Sequence, residues 1–199
     1  MNECAASRLP ALLGLLAALL LAAGDSGSAE PPHKGGAMGG PSTLTDHRGH
    51  RVSERDFAGF YKLVYFGFTY CPDVCPVDLQ TIAAGLSAFQ RDDPERAARV
   101  VPIFISVDPA RDTPPVLAQY VSAFHPRLVG LTGSEQEIAE VARRFAVYYR
   151  RGEPGPNGAY LVDHLRAAVL YGPEGEPIGI VPHDQGPAGV AAGLDRWVR

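Results

Sequence analysis

Apolar positions along the chain fall into runs of two different periods. "KLVYFGF" (62–68) and "RVVPIFISV" (99–107) are almost continuously apolar and bounded by turn residues, as strands buried on both faces are. Between them Leu79, Ile82, Ala83, Leu86 and Phe89 recur at helical spacing. A loop, "DPARDTPP" (108–115), leads into a second predicted helix with Leu117, Tyr120, Val121 and Phe124 on one face. Ser134 and Glu137 have the spacing of a capping box, and Ile138, Val141, Ala142 and Phe145 continue a third helix behind them. "AYLV" (159–162) and "AAVLY" (167–171) read as strands, "GPEGEP" (172–177) as a hairpin turn, and "IGIV" (178–181) as the strand after it. Val190, Leu194, Trp197 and Val198 mark a closing helix. Strands alternating with helices imply a sheet with parallel pairs covered by helices, to which the late hairpin adds antiparallel edges.

One apolar run does not belong to this pattern. Residues 9–24, "LPALLGLLAALLLAAG", carry no charge, with Arg8 before them and Asp25 after. The run is short for a spanning helix, which needs about 20 residues, and small residues follow it, as they follow the core of a signal peptide. A cleaved signal and an uncleaved membrane anchor both remain open, and both export the rest of the chain. Residues 25–38 are polar and rich in glycine and proline, so they read as a flexible tether. The expected organisation is a leader or anchor over 1–24, the tether over 25–38 and one folded domain over 39–199.

Composition narrows the classes. Of 199 residues, 46% are hydrophobic, enough for a core that needs no disulfide staples. The formal net charge of −4 argues against a nucleic-acid partner. Three cysteines are present, and Cys4 precedes the apolar run, so the exported domain holds two, Cys71 and Cys75. They sit in "YCPDVCP" (70–76), where the first long strand gives way to the first helix. A dithiol at that junction fits an α/β thioredoxin-like sandwich with a central mixed sheet flanked by helices.

Each of the two cysteines precedes a proline, and a residue before proline is pushed out of the helical region. Pro76 suits the first helical position, which makes Cys75 the expected N-cap, its sulfur near free backbone N–H groups. Three readings of the pair compete: a structural disulfide, a thiol–disulfide catalyst, and a soft-metal site in which two thiolates take Cu(I) or Zn(II) with a nitrogen ligand. Catalysts usually space the pair by two residues rather than three. Among His33, His47, His50, His125, His164 and His183, only His164 directly follows a predicted buried strand, and a strand pairing beside the one that delivers Cys71 would bring it across the dithiol. Asp163 lies next to it, but neighbours on a strand point to opposite faces.

The segments "GGPSTLTDHRG" (39–49), "YFGFTYCPDVCP" (65–76), "ISVDPARDTP" (105–114), "GLTGS" (130–134) and "YLVDH" (160–164) resemble, in order and spacing, the SCO/SenC family of copper chaperones for cytochrome c oxidase assembly. The resemblance covers about residues 38–182. It implies a thioredoxin-like fold and a copper site, Cu(I) or Cu(II), made by Cys71, Cys75 and His164, with Cys71 and Cys75 also able to form a redox-active disulfide. It implies a metallochaperone rather than an enzyme, with the copper-site subunit of the oxidase as partner. Other copper carriers and thiol–disulfide proteins are further expected partners. The implied location is the periplasmic side of the inner membrane, membrane-anchored in preference to cleaved and soluble. Thiol–disulfide reduction of that subunit's cysteines is the alternative activity, and a redox or copper sensor a third. Tyr70 stands where many members have histidine, with no ligand expected to be lost. The 108–114 loop is expected either to contribute to docking or the surroundings of the site, or simply to cap a helix through Asp112 or Thr113.

The N-terminal run has a direct test. As an uncleaved anchor, it keeps the full-length protein with membranes after an alkaline carbonate wash. A mature N-terminus near residues 25–30, found by sequencing the native protein, would instead identify a cleaved signal.

Overall fold

The computed structural model describes residues 38–199. The apolar run over 9–24 and nearly all of the tether lie outside the described residues. Among those described, no helix is long and apolar enough to cross a membrane.

A seven-stranded mixed sheet organises the domain, in the order β2 (Arg51–Ser53), β1 (Thr43–Asp46), β5 (Val129–Thr132), β4 (Val100–Ser106), β3 (Tyr61–Gly67), β8 (Ala168–Tyr171) and β9 (Pro177–Val181). Its centre is β3, buried at all seven positions, paired in parallel with β4, which pairs in parallel with β5. On the other side β3 meets β8, antiparallel, and β8 turns back into β9. A hairpin of β1 and β2 closes the far edge against β5. The mixed sheet with its late antiparallel hairpin is the expected architecture. The four-residue β1 and β5 and the three-residue β2 did not stand out in the pattern, being too short for a periodic signal.

Side-chain alternation on β3 divides the core. Tyr61, Leu63 and Tyr65 join Leu79, Ile82, Leu86 and Phe89 of α1 (Val74–Asp92), under α3 (Pro114–Ser122) and α5 (Gly186–Trp197). After α1 comes the short α2 (Pro94–Ala98). Val64 and Phe66 point the other way, into a cluster with Ile103, Ile105, Leu131, Ile138 and Val141, covered by α4 (Glu135–Arg144). The capping box of α4 forms as expected: Ser134 accepts from the Glu137 N–H, and Glu137 accepts from the Ser134 N–H. Beyond α4 a separate two-stranded ribbon forms from β6 (Tyr149–Arg151) and β7 (Val162–His164). The strand expected over 159–162 thus lies slightly later, and His164 is its last residue. Its partner is also corrected: β7 pairs with β6, whereas β8 is the strand beside β3. In the ribbon Tyr149 pairs with His164, Arg150 with Asp163 and Arg151 with Val162.

α1 and α5 pack closely through Gly85. A Cβ there would fall on Val190 and lie 2.7 Å from the Pro187 carbonyl oxygen, both on α5. Gly85→Val should therefore destabilise the fold, since overpacking costs about 1–3 kcal/mol and a β-branched side chain recovers little helix propensity. A lower denaturant midpoint with unchanged slope is the expected result.

Candidate functional site

β3 ends at Gly67, and the chain reaches α1 through Phe68–Asp73. At Gly67 an added Cβ would lie 3.1 Å from Cys75 Sγ and 2.9 Å from the Phe104 ring, so glycine leaves the sulfur its room. α1 begins earlier than expected. Its N-cap is Asp73, which places Cys75 second and Pro76 third in the helix. Proline fits there because the first N–H groups of a helix have no intrahelical acceptor. The expected N-cap role of Cys75 is therefore corrected. The free Cys75 N–H instead points at the Cys71 sulfur, 3.5 Å away, so it is Cys71 that faces the helix N-terminus.

The two thiols are free and unequal: Cys71 is partly exposed, and Cys75 is wholly buried. Burial pushes the Cys75 thiol well above its ordinary value, and the neighbouring Cys71 adds to this, while the Phe68 backbone N–H opposes it. The imidazole of His164 meets the buried sulfur, Cys75 Sγ to His164 Nε2 being 3.1 Å. Its other nitrogen, Nδ1, lies 3.2 Å from the Leu165 carbonyl oxygen. A carbonyl only accepts, so Nδ1 carries the proton and Nε2 turns its lone pair to the sulfur. Burial lowers the imidazole pKa, which keeps the ring neutral. Tyr65 and Phe68 stand edge-on to it, at centroid distances of 6.1 and 6.0 Å.

A neutral imidazole and a protonated thiol in contact form a donor pair that a soft cation enters by displacing the thiol proton. Cys71, one turn away, is the third available donor. Among the described residues no three His, Cys, Asp or Glu side chains are already disposed around one ion, so Cys71 must turn inward to complete such a set. Asp163 faces away from the imidazole and pairs with Arg150 at 3.0 Å, as alternation on a strand requires. The remaining described histidines are placed elsewhere. His47 and His125 accept backbone N–H bonds from Gly130 and Arg127, His50 lies near Asp46, and His183 approaches Asp78.

The 108–114 loop supports the site from behind. Asp112 is fully buried and does not cap α3, whose N-cap is Thr113, without a side-chain bond. Its carboxylate accepts from the Thr69 N–H, the Thr69 hydroxyl and the Ser106 hydroxyl, two residues ahead of Cys71. Burial raises its pKa despite those three donors. Asp108 accepts from Tyr160 and Arg111, and the Arg111 guanidinium lies 3.6 Å from the Tyr160 ring centroid and 4.8 Å from that of exposed Tyr70. Tyr70, Val77 and Leu165, each next to or near a donor, are exposed large apolar residues.

The SCO1/SenC family model matches residues 30–199. The chain belongs to the SCO1/SenC family. It is 40% identical over 162 residues to the human mitochondrial SCO1 homolog, covering 81% of this chain and 53% of that protein, so it spans about half the length of that SCO1 relative. Copper-bound ScoI of Bradyrhizobium japonicum superposes with a TM-score of 0.74 at 40% identity, over 81% of this chain and all of that one. BsSco, described as having a disulfide switch and as a member of the Sco family of cytochrome c oxidase assembly proteins, matches at a TM-score of 0.54 and 26% identity, over 78% and 92%. The thioredoxin domain of a Bacteroides vulgatus thiol–disulfide oxidoreductase, 16% identical, covers 82% of this SCO1/SenC chain and 97% of its own at a TM-score of 0.58. The fold is thus thioredoxin-like, as expected.

Sequence reasoning missed several residues around the donors. Asp78 lies on the buried face of α1 with Cys75, Leu79 and Ile82, and a carboxylate on an apolar helix face was the available signal. Tyr65 and Thr69 carried none. Asp112→Ala should leave the Thr69 and Ser106 donors without an acceptor and destabilise the domain by about 1–3 kcal/mol. Chemical denaturation checks this, with Asp112→Asn retaining part of the loss because one acceptor oxygen remains.

Proposed function

We propose that this protein is an exported metallochaperone that holds Cu(I) or Cu(II) through Cys71, Cys75 and His164. It passes the ion to the dinuclear copper site of a cytochrome c oxidase subunit. The observation that carries the reading is the lone pair of His164 Nε2 aimed at Cys75 Sγ from 3.1 Å, with Cys71 beside them. Two sulfurs and one imidazole suit copper in both oxidation states. Copper is the cargo here. The protein's part is to exclude water with Phe68, Tyr65 and Gly67, to hold the imidazole neutral, and to give up the Cys75 proton when the ion enters. Copper bound to a ScoI relative and the oxidase-assembly description of BsSco support the reading. In this reading residues 1–24 anchor or export the chain and the domain works on the periplasmic side of the inner membrane. Its partners are the copper-site subunit and other copper carriers.

A second reading rests on the two free thiols themselves. Partly exposed Cys71 attacks a disulfide in the oxidase subunit, and Cys75 then displaces the subunit's sulfur. The partner gains two electrons and two protons, and a Cys71–Cys75 disulfide is left behind. The disulfide switch described for BsSco favours keeping this activity beside the copper one. The two are linked, because an ion needs both sulfurs as thiolates and a disulfide uses up both.

Cys71→Ala and Cys75→Ala should abolish tight binding of both copper ions, and His164→Ala should weaken Cu(II) most while sparing part of the Cu(I) affinity. Titration with the thiolate–Cu(II) absorption band as readout tests this, and an unchanged Cu(II) spectrum in His164→Ala rules out that ligand. Oxidation to the disulfide should eject copper, and bound copper should protect both thiols from alkylation. Equal copper affinity of the oxidised and reduced protein would show that the two cysteines are not both ligands.

A further inference from the structure

Beneath the sulfur–imidazole pair, four segments of the chain meet at one carboxylate. Asp78 sits one turn beyond Cys75, on the same face of α1. Its side chain is only 5% exposed. Arg166 donates to it through two nitrogens, Nε to Oδ2 at 2.9 Å and Nη2 to Oδ1 at 2.7 Å. The Tyr65 hydroxyl of β3 donates to Oδ2 at 2.7 Å. His183, from the turn after β9, brings Nε2 within 3.5 Å of the same oxygen.

Arg166 is two residues beyond His164. Residues 165–167 carry the chain from the β6–β7 ribbon to β8, where Ala168 pairs with Tyr65. The ribbon has three residues per strand and shares no ladder with the main sheet. A two-stranded unit of that size holds its own ends weakly. A planar guanidinium engaged at two points fixes both distance and direction, which a single hydrogen bond does not. Tyr65 ties the same carboxylate to the imidazole, since its hydroxyl bonds Asp78 while its ring stands edge-on to His164.

We propose that the Asp78–Arg166 pair is a positioning clamp that fastens the His164 segment to the helix carrying Cys75, and so sets how strongly the site holds Cu(II) relative to Cu(I). The metal part of this rests on the ligand reading given above. Asp78 and Arg166 make no hydrogen bond to either sulfur and act through the placement of His164. Two thiolates alone serve Cu(I), whereas Cu(II) leans on the imidazole, so loosening His164 costs Cu(II) more.

The Arg166 side chain is half exposed, at 50%, so its replacement opens no core cavity, and Asp78 keeps the Tyr65 hydroxyl as a donor. In the metal-free full chain, Arg166→Ala should speed hydrogen exchange of the Leu165 amide, which donates to Tyr148 O at 2.9 Å, by about tenfold or more. The same variant should weaken Cu(II) binding about tenfold and dim the thiolate–Cu(II) band, while Cu(I) affinity changes less than about threefold. Arg166→Lys, keeping the charge but not the fork, should recover part of both effects. In a His164→Ala background, Arg166→Ala should cause no further loss of Cu(II) affinity, since the two then act through one residue. The clamp is overturned if Leu165 exchange is unchanged in Arg166→Ala, or if the full Cu(II) loss persists without His164. If Leu165 exchange responds but His164→Ala leaves Cu(II) binding intact, the clamp on the segment stands and the ligand reading is what fails.

Discussion

The burial of one sulfur governs the arrangement around it. Cys75 Sγ is shut from water and meets an imidazole from a residue 89 positions away. Burial disfavours charge on both partners, raising the thiol pKa and lowering that of the ring, so the resting pair is neutral. A soft cation resolves that situation chemically, since it takes the place of the proton and needs the imidazole in its neutral form. Three supports surround the pair. Gly67 keeps space for the sulfur, Asp112 holds the approach to Cys71, and the Asp78 cluster holds the approach to His164.

The site lies where ligand sites of open α/β sheets generally lie, beyond the carboxyl ends of the parallel strands. β3 and β4 supply the floor, with Thr69 just past one and Ser106 at the end of the other joined through Asp112. The β6–β7 ribbon supplies the opposite wall. The two thiols differ accordingly: the partly exposed Cys71 is open to solvent, and Cys75 is the one whose surroundings are set by the fold.

Much of this was legible in the amino-acid sequence. The apolar run over 62–68, the helical spacing from Leu79 to Phe89 and the "GPEGEP" turn announce β3, α1 and the β8–β9 hairpin, because each is long or chemically distinct enough to leave a periodic trace. β1, β2, β5 and β6, at three or four residues, leave none, and the pairing of β1 with β5 joins residues more than eighty positions apart. Cys71, Cys75 and His164 could be chosen by residue type and setting, and the structure does bring the last two into contact.

Which sulfur is buried and which faces the helix end was decided only in three dimensions. Local rules placed Cys75 at the N-cap because proline favours the first helical position. The helix nevertheless begins at Val74, and the free N–H of Cys75 meets the Cys71 sulfur. The Asp78–Arg166 pair likewise joins residues 88 apart. Residue type and short-range spacing determine which groups can donate to an ion and where the longer strands and helices lie, because those depend on side-chain chemistry and on backbone periodicity within a few residues. Tertiary structure determines which donors meet and which are dry, because desolvation and distance depend on segments that the chain brings together only when the sheet closes over its helices.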